Sequence, residues 1–316
     1  FNGLMIFLAD RFQGIRPGWG RLFRPMVHRM LRRGDRLALE SDDPAPSPWW
    51  APPARLDARA SRILSLLCGM SMLAGYLGTT ISQTITFAAD EFGASTADQG
   101  TTLAAVRVGV LLSLVLMALA DRKGRRRLLM VSAVGATLAA AVGALSPNLA
   151  FLGVTQTFSR AFSTALAVLI TVIAAEEMPA GGRAYAASVL AMTAALGAGG
   201  AVLLLPLADL AEPAWRVIYV VPLLALPAFR AVGTRIPESK RFVRPHARAS
   251  MAGHRGRLAL LAVSGFLGLM FVAPVSQLQN EYLRDEHGFS ALQLTIFTIS
   301  TNTPGGIGVI IGGRLA

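Results

Sequence analysis

From Ile63 to Ala89 the chain carries no charged side chain, and the same is true from Leu128 to Ser159, from Ala184 to Ala208 and from Gly288 to Gly313. Runs of this length are the strongest constraint in the sequence. About 20 consecutive apolar residues suffice for a helix to cross the hydrocarbon of a bilayer. Inside that hydrocarbon each backbone N–H and C=O has to be satisfied within the protein itself, which favours helices. A soluble domain draws about a quarter of its residues from Asp, Glu, Lys and Arg; here the share is 15% of 316 residues, against 53% hydrophobic. A soluble enzyme built round one large core is therefore excluded, and the fold class read from the sequence is all-α integral membrane. The single cysteine, Cys68, excludes a disulfide framework and a thiolate zinc site. No metal and no cofactor are expected.

The formal net charge of +12 would suit nucleic acid, but its placement does not. The basic residues are almost all Arg and sit in short blocks between apolar runs, which is topological information for a membrane protein rather than a stripe on a soluble face. Hydropathy places eight spans near 63–88, 101–120, 128–146, 149–175, 185–206, 216–233, 258–280 and 291–313. Twenty-six of the thirty Lys and Arg fall in the N-terminal region, in alternate connections or at Arg314; the opposite connections hold only Arg216 and Arg284. By the positive-inside rule the N-terminus is cytoplasmic. The expected location is the cell (plasma or inner) membrane, as a multi-pass protein.

Residues 1–62 read as a cytoplasmic basic segment. Trp19, Leu22, Phe23, Met26, Val27, Met30 and Leu31 recur at helical spacing among arginines, which fits either an amphipathic helix on an anionic leaflet or a basic tail. A Pro-rich linker follows at Asp42–Pro48. The chain begins at Phe1 without a methionine and ends at Ala316 in an apolar, Gly-rich stretch, so the expectation is a fragment.

At the end of the second span stands Met117-Ala118-Leu119-Ala120-Asp121-Arg122-Lys123-Gly124-Arg125-Arg126-Arg127. This resembles the G-x-x-x-D-R-x-G-R-R loop of the major facilitator superfamily, with Met117 in place of the leading Gly. Glu176-Glu177-Met178-Pro179-Ala180-Gly181-Gly182-Arg183 is similar to the E-x-x-P-x-x-x-R-G stretch of sugar-porter-like members, with Ala184 for the last Gly. Ile236-Pro237-Glu238-Ser239-Lys240-Arg241-Phe242 is similar to their P-E-S-P-R element, and Gly312-Gly313-Arg314-Leu315-Ala316 resembles the opening of a second signature loop. The resemblance covers about residues 60–316. It implies a major facilitator fold in which 63–233 form the N-terminal six-helix bundle, 234–257 a cytoplasmic central loop, and 258–316 the first two helices of a second bundle, eight of twelve helices in all. It also implies alternating access, with Asp121, Arg122, Gly124, Arg125, Arg126, Glu176, Glu177 and Arg183 as gating or conformational residues. In that scheme Arg125 or Arg126 pairs with Glu176 or Glu177. The bland reading of the same charges is static loop anchoring.

Polar groups inside spans are expensive and so point to function. Arg160 lies about 18 Å into the fourth span, counted from Asn148 at 1.5 Å per residue, with Gln156 and Thr164 one turn away on either side. No carboxylate lies at comparable depth in any span, which favours an anionic or hydrogen-bond-accepting solute over a structural role against helix carbonyls. Arg107 either snorkels outward or joins the site. Tyr76, Thr80 and Gln83 recur along the first span. Gln277, Gln279 and Asn280 end the seventh and are similar to the Gln/Asn cluster with which sugar porters hold hydroxyls; the eighth carries Asn302 before Pro304-Gly305-Gly306, where the helix is expected to break. Substrate-binding candidates are therefore Arg160, Gln156, Gln83, Tyr76, Gln277, Gln279, Asn280, Asn302 and Arg107. Each polar stripe alone more often reflects hydrogen bonding between helices; their convergence from four spans on the expected midplane points to a site. Gly197-Ala198-Gly199-Gly200 and Gly308-x-x-x-Gly312 read as close helix contacts.

The expected function is a secondary active or facilitative transporter of a small polar or anionic solute. The alternatives are a drug/proton antiporter of the same superfamily, whose fourth-span Arg is matched by Arg160 but whose following Gly is Thr164, and a non-transporting sensor with this fold. An enzyme is not expected, since His28, His246, His254 and His287 lack a catalytic arrangement. Expected partners are the bilayer and a small solute, with a coupling proton left open and Glu281 its nearest candidate; nucleic acid is not expected, and the protein is expected to be a monomer.

Overall fold

The computed structural model describes residues 56, 58–179, 182–236 and 255–315. The basic N-terminal segment, its Pro-rich linker and residues 237–254 of the central connection lie outside the described residues. The described chain is helical throughout, with no strand among the described residues. The helices are α1 (Ala58–Phe92), α2 (Thr96–Lys123), α3 (Arg125–Gly143), α4 (Leu149–Glu177), α5 (Arg183–Leu203), α6 (Arg216–Val220), α7 (Leu226–Arg235), α8 (Arg255–Asp285) and α9 (Ala291–Leu315). Five stretches among them are long and apolar enough to cross a membrane: Ala58–Phe92, Thr96–Ala120, Arg125–Gly143, Leu149–Glu177 and Arg183–Asp209. The protein is thus a multi-pass membrane protein.

Each reversal follows from local chemistry. Ser95 caps α2: its Oγ accepts from the Asp98 N–H, while Asp98 Oδ2 accepts from the Ser95 N–H at 3.0 Å. Asn148 Oδ1 caps α4 by accepting from the Phe151 N–H at 2.9 Å. Between α2 and α3 a single residue, Gly124, turns the chain at φ +100°, where a side chain would be strained. That requirement explains why Gly stands inside the Asp-Arg-Lys-Gly-Arg-Arg run.

The turns define two ends of the bundle. A basic end holds the α2–α3 turn, the C-terminus of α4 and Ile236; the opposite end holds the α1–α2, α3–α4 and α8–α9 turns. Between them α1 packs most extensively on α5, α2 on α4, and α3 on α4. Small residues such as Ala133, Ala136, Ala165 and Ala186 are fully buried beside larger ones such as Leu67, Met70 and Trp215, while Leu111, Leu114 and Val115 are exposed on the outside of α2. In hydrocarbon, apolar burial does not drive helices together, so close backbone approach and interhelical hydrogen bonds do. At the α1–α5 seam Gly75 lies against the Ala194 carbonyl and Gly197 against the Met72 carbonyl. Ser71 Oγ adds a 2.7 Å bond to the Leu190 carbonyl.

Two expectations about continuity are corrected. The sixth span is not one helix: α6, a 3-10 turn at Val221–Ala225 and α7 succeed one another, with Pro222 and Pro227 at the junctions. Proline has no N–H to give the preceding turn, so each interrupts the ladder. Conversely, α9 runs unbroken through Pro304. Around it Thr301, Asn302 and Thr303 bond back to carbonyls of their own helix. Of the glycine stretches read as close contacts, Gly197 is one, whereas a Cβ on Gly199 or Gly308 would meet nothing within 4 Å.

Candidate functional site

Arg160 stands near the middle of α4, and its Nη1 donates to the main-chain carbonyl of Gly78 on α1 at 2.6 Å. A glycine notch on α2 lets the helices approach there: Gly109 lies against the Thr157 carbonyl, and a Cβ on it would be 3.0 Å from Arg160 Cβ. Arg160 Nε is buried and has no hydrogen-bond partner among the described residues. Arg107, on the neighbouring α2, is exposed and within electrostatic range of Arg160. α1, α2 and α4 therefore converge on the Arg160 guanidinium.

The other candidates are distributed more widely than their sequence stripes suggest. Gln156, one turn before Arg160, is buried and turned towards α3, its Nε2 against Gly143. Tyr76 donates its hydroxyl to the Ile218 carbonyl of α6 at 2.7 Å. Gln83 and Asn280 meet directly, Asn280 Nδ2 donating to Gln83 Oε1 at 2.8 Å, with both side chains buried. Gln279 is half-buried and Asn302 exposed. The side chain of Gln277 lies outside the described residues. Glu281 is buried, with Oε1 lacking a hydrogen-bond partner among the described residues.

At the basic end Arg125 pairs with Glu176. Arg59 pairs with Glu177 at 3.2 Å, and Arg126 Nε donates to the Gly233 carbonyl at 2.7 Å. Gly124 is buried, Arg122 and Arg183 are exposed, and the Asp121 side chain lies outside the described residues. The α2–α3 turn is in this way tied to α4 and α7, and Arg59 ties α1 to α4.

The opposite end carries a network that sequence reading missed. Glu91 accepts from Trp215 Nε1 at 2.6 Å and from Arg216 Nη2 at 2.7 Å, while Arg216 Nη1 donates to the Ala144 carbonyl at 2.9 Å. Arg284 pairs with Asp90 at 2.9 Å and lies over the Phe87 ring. Asp209 Oδ2 accepts from the Ala291 N–H, the first of α9, at 2.9 Å. Thr295 Oγ1 donates to the Val202 carbonyl. A cavity of about 210 Å³ lies among Phe87, Asp90, Glu91, Ala208, Asp209 and Arg284. The only available signal was topological: loops that alternate in sequence share an end in space. The hydrogen bonds Asn280–Gln83, Arg284–Asp90, Ala291–Asp209 and Thr295–Val202 join α8 and α9 to the preceding bundle in this half of the molecule.

These features define a class: a multi-pass helical membrane protein whose last two helices are latched to a preceding bundle near one end. The family follows from the sequence. The Major Facilitator Superfamily profile matches residues 66–316, and the chain belongs to that superfamily. Among solved structures, the chain is similar to the proton:xylose symporter XylE bound to 6-bromo-6-deoxy-D-glucose, at 17% identity and TM-score 0.53 over 59% of this chain and 46% of that one. It is also similar to a double-tryptophan mutant of XylE, at 17% identity and TM-score 0.51 over 61% and 48%. The chain thus spans a little under half the length of those proteins, and the likeness is one of fold. No curated protein matches it in sequence.

Proposed function

We propose that the protein is a secondary transporter that moves a small polar or anionic solute across the cell membrane by alternating access, with the basic end facing the cytoplasm. The observation that carries the reading is Arg160. A guanidinium in the middle of a span is expensive unless something polar meets it, and here one carbonyl bond to Gly78 leaves Nε without a partner among the described residues. An acceptor supplied by a solute completes that set. Gln83 with Asn280 supplies hydrogen-bonding groups on facing helices. The charge pairs at the two ends supply the making and breaking contacts that a two-state carrier uses. A coupling proton, if one is used, has the buried Glu281 as its candidate carrier. No chemical step is assigned to any residue.

The test is uptake by the full-length protein in proteoliposomes, using labelled small organic anions, sugars and amino acids. Arg160→Ala should lower kcat/KM for the transported solute at least about a hundredfold, the loss of a charge-assisted bond to a buried group, while the protein still inserts. Wild-type uptake by that variant refutes the assignment. Saturable binding without any uptake would make the protein a sensor.

A further inference from the structure

We infer that the solute is a monocarboxylate, held side-on by the Nε–Nη2 edge of Arg160. The inference rests on the reading of Arg160 as a solute-binding group and names what that group takes. A guanidinium is a planar fork of N–H donors with no acceptor. In Arg160 one prong is committed, since Nη1 donates to the Gly78 carbonyl at 2.6 Å. Nε is buried without a hydrogen-bond partner, and Nη2 has none among the described residues. Nη1 lies on the side of the aliphatic stem, so Nε–H and Nη2–H together form the opposite edge. These two bonds run parallel and are spaced to meet both oxygens of one carboxylate. The Gly78 contact therefore fixes one end of the guanidinium and leaves its bidentate edge intact. A hydroxyl or a single carbonyl oxygen would satisfy one donor of that edge and strand the other.

Charge selects the anion. Arg160 stands eleven residues past Leu149, about 17 Å into α4 at 1.5 Å per residue. Among the described residues no carboxylate pairs with it: Arg59–Glu177, Arg125–Glu176, Arg216–Glu91 and Arg284–Asp90 all lie towards the two ends. Glu281 follows Asn280, which bonds Gln83, five residues along α1 from Gly78, and its Oε1 has no partner among the described residues. The Gly78 carbonyl orients the guanidinium without neutralising it. One carboxylate supplies one negative charge and two acceptors, which answers both deficits. Room for it lies on the α1 side, where a Cβ on Gly78 would meet only Arg160 Nη1 within 4 Å. Nε is closed to water in this conformation. Binding therefore requires the guanidinium to pivot about its Gly78 bond, bringing the free edge towards that space.

The test measures affinity by ligand-induced thermal stabilisation of the purified full-length protein. The probes are pairs in which a carboxamide replaces the carboxylate: lactate and lactamide, benzoate and benzamide, nicotinate and nicotinamide. Glucose and glycerol serve as neutral hydrogen-bonding solutes. The expected result is that at least one carboxylate binds about tenfold or more tighter than its amide, as a charge-assisted bidentate contact allows. This comparison uses the parent protein and so does not depend on any variant folding. Arg160→Gln should bring the preference to near unity. Arg160→Lys keeps the charge but has no planar edge, and should weaken carboxylate binding about tenfold while still favouring carboxylate over amide. Undiminished affinity in Arg160→Lys overturns the side-on assignment. Binding of an amide or a neutral solute as tight as that of any carboxylate, and lost in Arg160→Gln, overturns the inference and leaves the proposed function standing. A carboxylate preference unchanged by Arg160→Gln removes Arg160 from the site, and both readings fall. If no carboxylate binds, the inference falls, while Arg160-dependent uptake of another solute would keep the proposed function.

Discussion

The Tyr76 hydroxyl donates to the Ile218 carbonyl at 2.7 Å, and Ile218 is the residue whose carbonyl Pro222, four positions on, is unable to serve. In a continuous helix the N–H of residue 222 would bond to that oxygen; proline has none. Tyr76 therefore replaces a backbone donor from another span and holds α1 to the broken sixth span. Phenylalanine at 76 should lower stability by about 1–3 kcal/mol, the cost of leaving a buried carbonyl unpaired. Pro222→Ala restores an N–H at the right position, so Tyr76→Phe should cost markedly less in that background. Denaturation in detergent of the two single variants and the double variant measures this, and strictly additive losses would contradict the relationship.

Gly78 and Gly109 both face Arg160, but only one is a steric requirement. A Cβ on Gly109 would run into the Thr157 backbone, which has no means of yielding without α2 and α4 moving apart. A Cβ on Gly78 would meet only Arg160 Nη1, at an ordinary 3.5 Å. Gly109→Ala is expected to destabilise by about 1–3 kcal/mol, and Gly78→Ala to stay within about 0.5 kcal/mol of the parent. Thermal melts in one detergent decide it, and similar losses at both positions would contradict the geometry.

Much of the architecture was legible because a bilayer admits few solutions. Charge-free runs marked the five stretches that are long and apolar enough to cross a membrane, and the Asp-Arg-Lys-Gly-Arg-Arg run marked a tight turn through Gly124. The sixth span was legible in place but not in continuity, since hydropathy averages over Pro222 and Pro227. The candidate site was read less well. Periodicity showed that Gln156 and Arg160 are one turn apart, but not that Gln156 packs on Gly143 of α3 while Arg160 reaches Gly78 of α1. Side-chain length and the helix crossing decide that, and neither is written in spacing. The latch of Arg284 on Asp90 and of Asp209 on the start of α9 joins residues far apart in sequence, each unremarkable by itself.

The ion pairs at the basic end should differ in strength. Arg125 and Glu176 have side chains 20% and 7% exposed, whereas Arg59, opposite Glu177, is 50% exposed. Water screens the second pair far more. Double-mutant cycles should give a coupling of about 1–3 kcal/mol for Arg125–Glu176 and about 0.2–1 kcal/mol for Arg59–Glu177. Raising the salt concentration should diminish the second and leave most of the first. Equal couplings would mean that exposure does not govern the contribution of these pairs.

Asn280 and Gln83 are buried partners on α8 and α1, and their 2.8 Å hydrogen bond joins the two parts of the molecule. If that bond helps hold the opposite end closed, Asn280→Ala should shift the protein towards conformations in which the end is open. A neutral hydrogen bond contributes about 1 kcal/mol, which corresponds to about a fivefold change in the open population. Opening is read by introducing a cysteine at Ala208, which lines the cavity at that end and is buried, with Cys68 replaced by Ser so that it is the only thiol of these 316 residues. Labelling by a membrane-impermeant maleimide should then be about fivefold faster in the Asn280→Ala background. Arg284→Gln, which removes the cation from the Asp90 pair in the same latch, should act in the same direction. Unchanged labelling in both variants would show that these contacts position α8 without controlling access.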